Sequence, residues 1–291
     1  MSTARFARLT IAGVGLVGGS LAAAARAAGL VGEIVGYGRS EANLRLAHER
    51  GLIDRIARAP ADAVAGADAV VLAVPVAACA PLAATFAPHA SPGAILTDVA
   101  SVKGAVVAAL ETRWAGVGPV VGAHPIAGSE AAGAGAADPA LFHDRRVIVT
   151  PTPHTDRTAL ARVRTLWEGV GARVEEMTPA VHDELLARVS HLPHLVAYAL
   201  IAALGDVRIG GHSVLDYAGS GLRDTTRIAG SPAELWRDIA LANAPALRAA
   251  LGEFAATLDR LKALIDAGDA SGLEAALDAA RALRRRLPGD A

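Results

Sequence analysis

His124 is the side chain in this sequence whose position best suits acid–base chemistry. It lies in the segment Gly122-Ala123-His124-Pro125-Ile126-Ala127-Gly128-Ser129-Glu130, directly after an apolar run at residues 117–121. Pro125 favours an extended backbone at His124, just past the carboxyl end of the predicted strand. An imidazole in that place can accept or donate a proton near neutral pH. A loop with a buried, hydrogen-bonded histidine fits the same segment, so the rest of the sequence must decide.

A glycine-rich turn near the amino terminus predicts a dinucleotide site. The turn, Gly13-Val14-Gly15-Leu16-Val17-Gly18, lies between a short β-type run and a helix-like stretch, which is the context that a dinucleotide-binding motif requires. Gly13 permits a tight turn, Gly15 lets a pyrophosphate approach the backbone, and Gly18 lets the helix pack closely on the strand. The amides that open this helix would then hold the pyrophosphate.

The end of the second predicted strand bears on the choice between NAD and NADP. An acidic residue normally binds the adenosine ribose there, but the sequence is Tyr37-Gly38-Arg39-Ser40. Arg39 and Ser40 could bind a 2′-phosphate that no carboxylate repels, or Arg39 could stack on adenine while NAD binds. NADP is slightly favoured for this reason. The predicted cofactor contacts are Gly13, Gly15, Leu16, Val17, Gly18, Arg39, Ser40, Val74 and Pro75.

Composition and charge exclude several classes of protein. The chain has 291 residues, of which 53% are hydrophobic and 20% charged, with a net charge of −1. It is therefore long enough for two domains, and nothing in its charge points to nucleic acid or a membrane surface as a partner. The apolar run at residues 195–204 is half a bilayer span, and no signal peptide is expected. The single cysteine, Cys79, excludes an internal disulfide. A cytoplasmic protein is expected.

Alternating strand and helix patterns predict an α/β fold, a parallel, doubly wound Rossmann-type sheet over residues 1–177. After Met177 the strand signals end, and Thr178-Pro179 is typical of a helix start. Residues 178–291 are therefore predicted to form an all-helical domain, with a kink at Pro193. The predicted strands are residues 8–12, 33–37, 68–75, 94–98, 117–121, 146–150 and 173–177, and the helices before residue 177 are 20–28, 41–50 and 157–169.

Four further segments join the glycine turn and His124. They are Asp98-Val99-Ala100-Ser101-Val102-Lys103, Ser190-His191-Leu192-Pro193-His194, Gly221-Leu222-Arg223-Asp224-Thr225-Thr226-Arg227-Ile228-Ala229 and Trp236-Arg237-Asp238-Ile239. In this order and spacing they make the chain resemble the prephenate/arogenate dehydrogenase family of tyrosine biosynthesis. The resemblance implies oxidative decarboxylation of a cyclohexadienol, with hydride transfer to NAD or NADP. It also implies a homodimer that forms through the helical domain.

The resemblance further implies roles for individual residues. His124 matches the catalytic histidine that takes the proton of the substrate's C4 hydroxyl, and Ser101 matches a serine that bridges this hydroxyl, the histidine and the nicotinamide. Arg227 matches the arginine that binds the ring carboxylate, a task suited to a planar fork of donors. His194 matches a position beside the substrate, and Trp236 a position near the pocket.

Several of these residues also fit purely structural roles. Ser101 could be the N-cap of the helix after its strand, and Trp236 could be a packing residue. Arg227 could form a surface salt bridge, for example to Asp224. Asp224 is otherwise expected to orient Arg227 or to tie helices together across a dimer, and Gly221 of the same motif is expected to lie beside the substrate.

Three more side chains near these motifs have less specific predictions. Lys103 could help to hold Ser101, and Glu130 could form an ion pair near the entrance. His191 is expected to be a structural neighbour of His194. The two histidines lie three residues apart with Pro193 between them and lack a third ligand of clear spacing, so no metal site is predicted.

Rival functions remain open from the sequence. A β-hydroxyacid dehydrogenase shares the two-domain plan but relies on a lysine in its helical domain, where this chain has only Lys262. An aminodeoxyprephenate dehydrogenase of a secondary pathway is a closer rival, and a non-catalytic NAD(P)-binding sensor belongs to another class. No residue distinguishes prephenate from arogenate, and feedback inhibition by tyrosine is open.

Overall fold

The computed structural model describes residues 6–128 and 131–287. Eight strands of the described chain form one sheet with the order β3-β2-β1-β4-β5-β6-β7-β8. Every neighbouring pair runs parallel except β6 and β7, which are antiparallel. The strands are β1 (Phe6–Ala12), β2 (Val31–Tyr37), β3 (Arg55–Ile56), β4 (Ala69–Leu72), β5 (Ile95–Asp98), β6 (Val120–Pro125), β7 (Arg146–Thr150) and β8 (Arg173–Glu176).

Helices connect these strands and make up most of the chain after β8. They are α1 (Leu16–Ala27), α2 (Glu41–Glu49), α3 (Pro60–Val64), α4 (Val76–Phe86), α5 (Gly104–Arg113), α6 (Arg157–Gly169), α7 (Pro179–Leu186), α8 (Leu192–Leu204), α9 (Ser220–Thr226), α10 (Ala233–Ala242), α11 (Ala244–Asp266) and α12 (Ala270–Arg284). A two-stranded hairpin, β9 (Arg208–Ile209) and β10 (His212–Ser213), follows α8.

The core lies on both faces of the sheet. Successive side chains of a strand point to opposite faces, and β4 shows this directly. Val71 contributes to one buried apolar cluster, whereas Val70 and Leu72 contribute to the other. A strand covered on both faces has a continuous apolar sequence, which explains why β4 is apolar throughout. The predicted α/β class, a doubly wound Rossmann-type sheet followed by helices, is confirmed.

Two details of the sheet differ from the prediction. Not all strands are parallel, because β7 runs antiparallel to β6. The strand β6 also continues through His124, which pairs with Ile148, and ends at Pro125. The expectation that His124 lies past the end of its strand is therefore wrong. Proline cannot donate to a neighbouring strand, so Pro125 marks the strand end one residue later than His124.

The helical part also differs in detail from an all-helical prediction. The hairpin of β9 and β10 interrupts it. The helical path from Pro179 to Leu204 is continuous over 26 residues, with a π-helical turn at Ala187–His191 directly before the kink predicted at Pro193. This segment is long and apolar enough to cross a membrane by length and composition, so the ten-residue run understated its length. Its buried polar side chains, described below, contact the rest of the protein.

By contacts within the chain, residues 1–244 and residues 245–291 form two compact units. The second unit contains nearly all of α11 and the whole of α12, which begins at an N-cap, Asp269, that accepts a hydrogen bond from Gly272 N at 2.9 Å. Several large apolar side chains of this unit are exposed, among them Leu258, Ile265 and Leu277. The site described next lies within residues 1–244.

Candidate active site

His124 is buried at the end of β6 and is hydrogen bonded through one ring nitrogen. Its Nδ1 lies 2.8 Å from Nε2 of His182 on α7. The two rings meet edge to face, with centroids 5.1 Å apart. Only 9% of His124 is accessible, yet the residue lines a cavity. Because Nδ1 is engaged by His182, Nε2 is the nitrogen left to meet a substrate.

His182 is held in turn by the adjacent carboxylate. Nδ1 of His182 lies 2.8 Å from Oδ1 of Asp183. The same Oδ1 accepts a hydrogen bond from Lys103 N at 2.7 Å, and Oδ2 accepts one from Gly104 N at 2.8 Å. Asp183 therefore caps the N-terminus of α5 from another helix. Ser101 is not the N-cap of α5, because the helix begins at Gly104 and its opening amides are already satisfied by Asp183.

A buried ion pair lies beneath these histidines. Lys103 is fully buried, and its Nζ pairs with Asp98 at the end of β5. The Lys103 ammonium also donates to the Ala123 carbonyl at 2.7 Å. Asp98 accepts hydrogen bonds from Ala100 N and Ala123 N at 2.9 and 3.3 Å. These hydrogen bonds connect the loop that carries Ser101 to the strand that carries His124. Lys103 therefore helps to hold Ser101 in place by fixing this loop.

The surroundings of His124 favour its neutral form. Burial lowers the pKa of His124 well below 6.5, and the positive charge of Lys103, with His182 and His191, lowers it further. Burial also lowers the pKa of His191 to about 4. A neutral imidazole has a lone pair at pH 7. His124 can therefore accept a proton without first losing one.

His124 lines a cavity of about 630 Å³. Asp138 and Arg145 add charged groups to its wall, and Leu186 and Ser190 contribute from the helical segment. Asp138 and Arg145 were not predicted from the sequence, because neither lies in a recognisable motif. The described residues that line this cavity do not include any of the residues expected to bind substrate, which are Ser101, His194, Gly221, Asp224, Arg227 and Trp236.

Three of the predicted substrate residues lie together on the helices. The ring of His194 on α8 stacks on Trp236 of α10, with centroids 3.5 Å apart and planes 20° apart. His194 Nδ1 donates to the Ser190 carbonyl at 2.9 Å, which leaves Nε2 to face a ligand. Burial lowers the pKa of His194, and the charge of Arg227 lowers it further. Arg227, at the start of the 3₁₀ turn after α9, is therefore close enough to act on His194 electrostatically.

A small apolar cluster and an asparagine connect the two groups of side chains. Trp236 packs with Val102, the neighbour of Ser101. Asn243 donates to the Asp183 main-chain carbonyl at 2.8 Å, and its Nδ2 lies 3.1 Å from His191 Nδ1. The predicted structural role of His191 agrees with this contact. The structure therefore places Trp236 beside the loop of Ser101.

The remaining predicted substrate residues lie outside both the His124 cluster and the His194–Trp236 cluster. Gly221 and Asp224 lie on α9 and are exposed. No ion pair joins the two described residues Asp224 and Arg227, so the structure gives no support to the expectation that one orients the other. Glu130, expected near the entrance, lies outside the described residues.

The glycine turn has the geometry that a dinucleotide requires. Gly13 has a φ angle of +96°, and a Cβ there would lie 2.1 Å from the Ala73 carbonyl oxygen. A Cβ at Gly18 would lie 2.2 Å from the Gly13 oxygen, whereas at Gly15 it would meet nothing within 4 Å. Gly13 and Gly18 are therefore required by the fold itself. Gly15 leaves open space at the N-terminus of α1, where a pyrophosphate fits.

The other predicted cofactor residues surround this turn. The first backbone hydrogen bond of α1 runs from Gly19 N to Gly15 O, so the amides of Leu16 and Val17 have no acceptor within the helix. The helix starts at Leu16, four residues before its predicted start. Val74 lies beside Gly13, its Cγ1 being 3.1 Å from the position of a Cβ there. The neighbouring Pro75 is the N-cap of α4.

The end of β2 is open and basic. A Cβ at Gly38 would make only ordinary contact with Leu44, at 3.7 Å. Arg39 is exposed, whereas the Ser40 hydroxyl accepts a hydrogen bond from Asn43 N at 3.2 Å and caps α2. Ser40 therefore has a structural role, in addition to any contact with a cofactor.

His182 and Asp183 are the main site residues that were not predicted from the sequence. They follow the helix start at Thr178 by four and five residues, on a helix whose apolar spacing drew attention to other positions. An adjacent histidine and aspartate at the buried positions of an amphipathic helix were the available signal. Their partners lie about 60 and 80 residues away in the sequence, so no local pattern contains the pairing.

The glycine turn on a doubly wound sheet defines the class of this protein, a Rossmann-type oxidoreductase. Two family models divide the chain between them: residues 21–176 match the prephenate dehydrogenase nucleotide-binding domain, and residues 178–279 match the prephenate dehydrogenase dimerization domain. The chain belongs to the prephenate dehydrogenase family, as its sequence motifs predicted.

Individual relatives agree with the family models. The cyclohexadienyl dehydrogenase of Zymomonas mobilis is 38% identical over 265 residues, which cover 91% of this chain and 90% of that protein. The prephenate dehydrogenase of A. aeolicus, solved in complex with hydroxyphenyl propionate and NAD+, superimposes with a TM-score of 0.91 at 36% identity, covering 96% and 97% of the two chains. The arogenate dehydrogenase of Synechocystis gives 0.83 at 34% identity, covering 96% and 99%.

Proposed function

We propose that this chain oxidises and decarboxylates prephenate, arogenate or both, in the biosynthesis of tyrosine. The observation that carries the proposal is the state of His124, a buried, neutral imidazole whose Nδ1 is hydrogen bonded and which lines a cavity. Oxidation of a ring alcohol needs such a base. The products are 4-hydroxyphenylpyruvate from prephenate and tyrosine from arogenate.

The proposed reaction begins at the C4 hydroxyl of the cyclohexadienol ring. His124 Nε2 takes the hydroxyl proton, and the C4–H bond breaks as a carbonyl forms at C4. A bound nicotinamide supplies the hydride acceptor. The bond from C1 to its carboxylate then breaks, and the electron pair makes the ring aromatic as carbon dioxide leaves. Protonation of the C4 oxygen completes the phenol.

Other residues of the site hold the substrate in this scheme. Arg227 binds the ring carboxylate through its guanidinium, and it must position this group without stabilising the ground state strongly, because the carboxylate leaves. His194, fixed by Ser190 and stacked on Trp236, meets the side-chain carboxylate. Ser101, on the loop tied down by Lys103, bridges the C4 hydroxyl and His124.

Turnover assays test the proposed function directly. Prephenate, arogenate and the 4-amino analogue are each mixed with the protein and either NAD or NADP, and absorbance of the reduced cofactor is followed. Turnover of prephenate or arogenate is the expected result. Turnover of the amino analogue alone would assign the chain to the secondary pathway. If the protein bound cofactor but turned over none of the three substrates, the result would favour a non-catalytic NAD(P)-binding sensor.

NADP is the cofactor that we propose the site prefers. Arg39 is exposed at the end of β2, and Arg45 and Arg58 both pair with Glu41 nearby, with N–O distances of 2.6 and 3.6 Å. Two arginines thus flank Glu41 close in sequence to the exposed Arg39, and together they make the end of β2 basic. Arg39→Gln should raise the KM for NADP by about 10-fold and leave that for NAD unchanged.

The opposite change provides a second test of cofactor choice. Gly38→Asp introduces a carboxylate at a position where a Cβ makes only ordinary contact with Leu44, and it should shift preference towards NAD. An equal rise in the KM for NAD and for NADP in Arg39→Gln would instead place Arg39 against the adenine, which both cofactors share. An unchanged KM for NADP would mean that Arg39 does not contact the cofactor.

We also propose a cytoplasmic homodimer that forms through the helical domain. Val181, Leu185 and Val189 repeat every four residues along α7 and its continuation, and they are 49%, 46% and 69% exposed. Such a stripe is typical of a surface that a partner covers. Sedimentation should give twice the chain mass of 29.4 kDa. Val189→Asp should shift the protein to monomer, and a wild-type monomer at micromolar concentration would contradict the proposal.

A further inference from the structure

We propose that Asp183 is a positioning residue that, through His182, fixes the tautomer of His124 and thereby selects Nε2 as the base. The proposal rests on the proposed function only for the identity of the substrate. The tautomer is a property of the free protein and can be measured without turnover.

The assignment follows from the hydrogen-bonding capacity of each group. Burial raises the pKa of Asp183, but hydrogen bonds from His182 and from the amides of Lys103 and Gly104 outweigh it and hold the pKa below its ordinary value. Asp183 is therefore an ionised carboxylate, which only accepts hydrogen bonds. The nitrogen that faces it, His182 Nδ1 at 2.8 Å, must carry a proton.

The same logic extends from His182 to His124. We take His182 as the neutral imidazole with its proton on Nδ1, which has a lone pair on Nε2. In that form His182 Nε2 accepts the hydrogen bond across the 2.8 Å gap to His124. His124 then carries its proton on Nδ1, and its Nε2 has the lone pair. This is the tautomer that a general base needs if it is to act through Nε2.

Asp183 also couples this tautomer to the loop that carries Ser101. Its two oxygens accept hydrogen bonds from Lys103 N and Gly104 N, and these amides directly follow that loop. Its own backbone is held by Asn243. One carboxylate thereby sets the orientation of the base and fixes the end of the loop beside it. The charged and titratable groups packed around His124 are Lys103 with its partner Asp98, His182 with Asp183, and His191. Asp138, His143 and Arg145 line the same cavity.

Asp183→Asn tests the proposal because asparagine keeps the shape and changes the hydrogen bonding. Asp183 Oδ1 faces both His182 Nδ1 and Lys103 N, whereas Oδ2 accepts from Gly104 N. When the asparagine oxygen keeps the hydrogen bond from Gly104 N, the NH₂ group takes the place of Oδ1 and must donate to His182 Nδ1. The proton pattern then reverses along both rings and places the His124 proton on Nε2. Long-range ¹H–¹⁵N spectra of histidine-labelled protein should show His124 protonated on Nδ1 in the wild type and on Nε2 in the variant. His124→Asn and His182→Gln assign the signals.

The kinetic consequence is a loss of turnover of about 10²–10⁴-fold in Asp183→Asn, the range expected when a base is held in the wrong tautomer. The acid limb of the kcat/KM pH profile should also shift. Thr178→Ala is the matched control, because it removes the N-cap of the same helix without touching either histidine. It should lower Tm and leave both tautomer and pH profile unchanged.

A second pair of variants keeps the proposal testable if Asp183→Asn fails to fold. His182→Gln retains an acceptor for His124 and a donor for Asp183, and it should preserve the Nδ1–H form of His124 and lower kcat by less than about 10-fold. His182→Leu removes both and should lose the tautomer preference. A wild-type His124 protonated on Nε2, or an unchanged tautomer in both Asp183→Asn and His182→Leu, would overturn the proposal. If no substrate is turned over, the proposed function fails while these spectra still decide the role of Asp183.

Discussion

The glycine turn after β1 and the histidine cluster beside β6 serve one proposed reaction, but they differ in how much of each lies in one segment of the sequence. All glycines of the turn lie within six residues, although Gly13 and Gly18 also pack closely against Ala73 after β4. The cluster brings His124 to His182, 58 residues away, and Lys103 to Asp183, 80 residues away. The motif of the first is therefore local in the sequence and binds the cofactor, whereas the second is assembled by the tertiary fold and prepares a base.

This difference predicts that the cluster governs the chemical step while the turn governs cofactor affinity. His124→Asn removes the proposed base and should lower kcat by about 10²–10⁴-fold. The Kd for the cofactor, measured by fluorescence titration, should be nearly unchanged. His89→Asn, at an exposed histidine elsewhere in the same unit, is the control and should behave as the wild type. Turnover of His124→Asn within twofold of the wild type would place the base elsewhere.

His194, Trp236 and Arg227 are proposed to contact only the substrate. Substitutions among them should therefore change the KM for substrate, and not the affinity for cofactor. Arg227→Gln removes the guanidinium proposed to bind the ring carboxylate and should raise the KM for substrate by about 10- to 100-fold. Arg223→Gln, on the preceding helix α9, removes an exposed arginine that donates to the Ala218 carbonyl. It should leave KM as it was. An unaltered KM in Arg227→Gln would mean that this arginine lies outside the substrate site.

The same contrast explains what could be predicted from the sequence. The turn was predicted residue by residue, because its glycine spacing lies within one strand–turn–helix segment, although the packing that requires Gly13 also involves Ala73 after β4. The order of strands and helices was largely predicted for the same reason, since alternation is a local pattern. His124 was identified from its proline and the family motif, although its place inside β6 depends on pairing with β7.

The rest of the site depends on contacts that no local pattern contains. Asp183 looks like one polar residue of an amphipathic helix until α7 packs against the start of α5. The alternative role of Ser101 as an N-cap is wrong for this reason, because a carboxylate 79 and 80 residues away satisfies those amides. The antiparallel β7 is likewise a matter of sheet topology. Binding elements were therefore more predictable than the proton-handling ones.

Substitutions within the glycine turn should separate binding from folding. Gly15→Ala places a methyl group where nothing lies within 4 Å, so Tm should be unchanged while cofactor Kd rises by about 10-fold. Gly13→Ala must adopt a φ angle of +96° with its Cβ 2.1 Å from the Ala73 oxygen, and it should lower Tm even without cofactor. Equal effects of the two variants on Tm would show that the turn has no residue reserved for binding.

The smallest expected effect is on the pH dependence of the free energy of unfolding. Of the two regions, the histidine cluster should contribute to it and the glycine turn should not, because the turn has no titratable side chain. The pKa of buried His191 is lowered from 6.5 to about 4, and that of His124 is also lowered. The unfolded chain therefore binds more protons than the folded chain between these values, and stability falls as pH drops from about 6.5 towards 4. Above this window the contribution is constant.

The measurement is Tm as a function of pH, which should decline by a few degrees between pH 7 and pH 4.5. His191→Gln removes one titrating group and keeps a polar partner for Asn243, so its curve should be flatter whatever its absolute Tm. The slope is the relevant quantity, because the substitution also changes packing against Trp236. A curve parallel to that of the wild type would mean that His191 titrates alike in the folded and unfolded chain, and that the neutral environment of the cluster does not extend from His124 to His191.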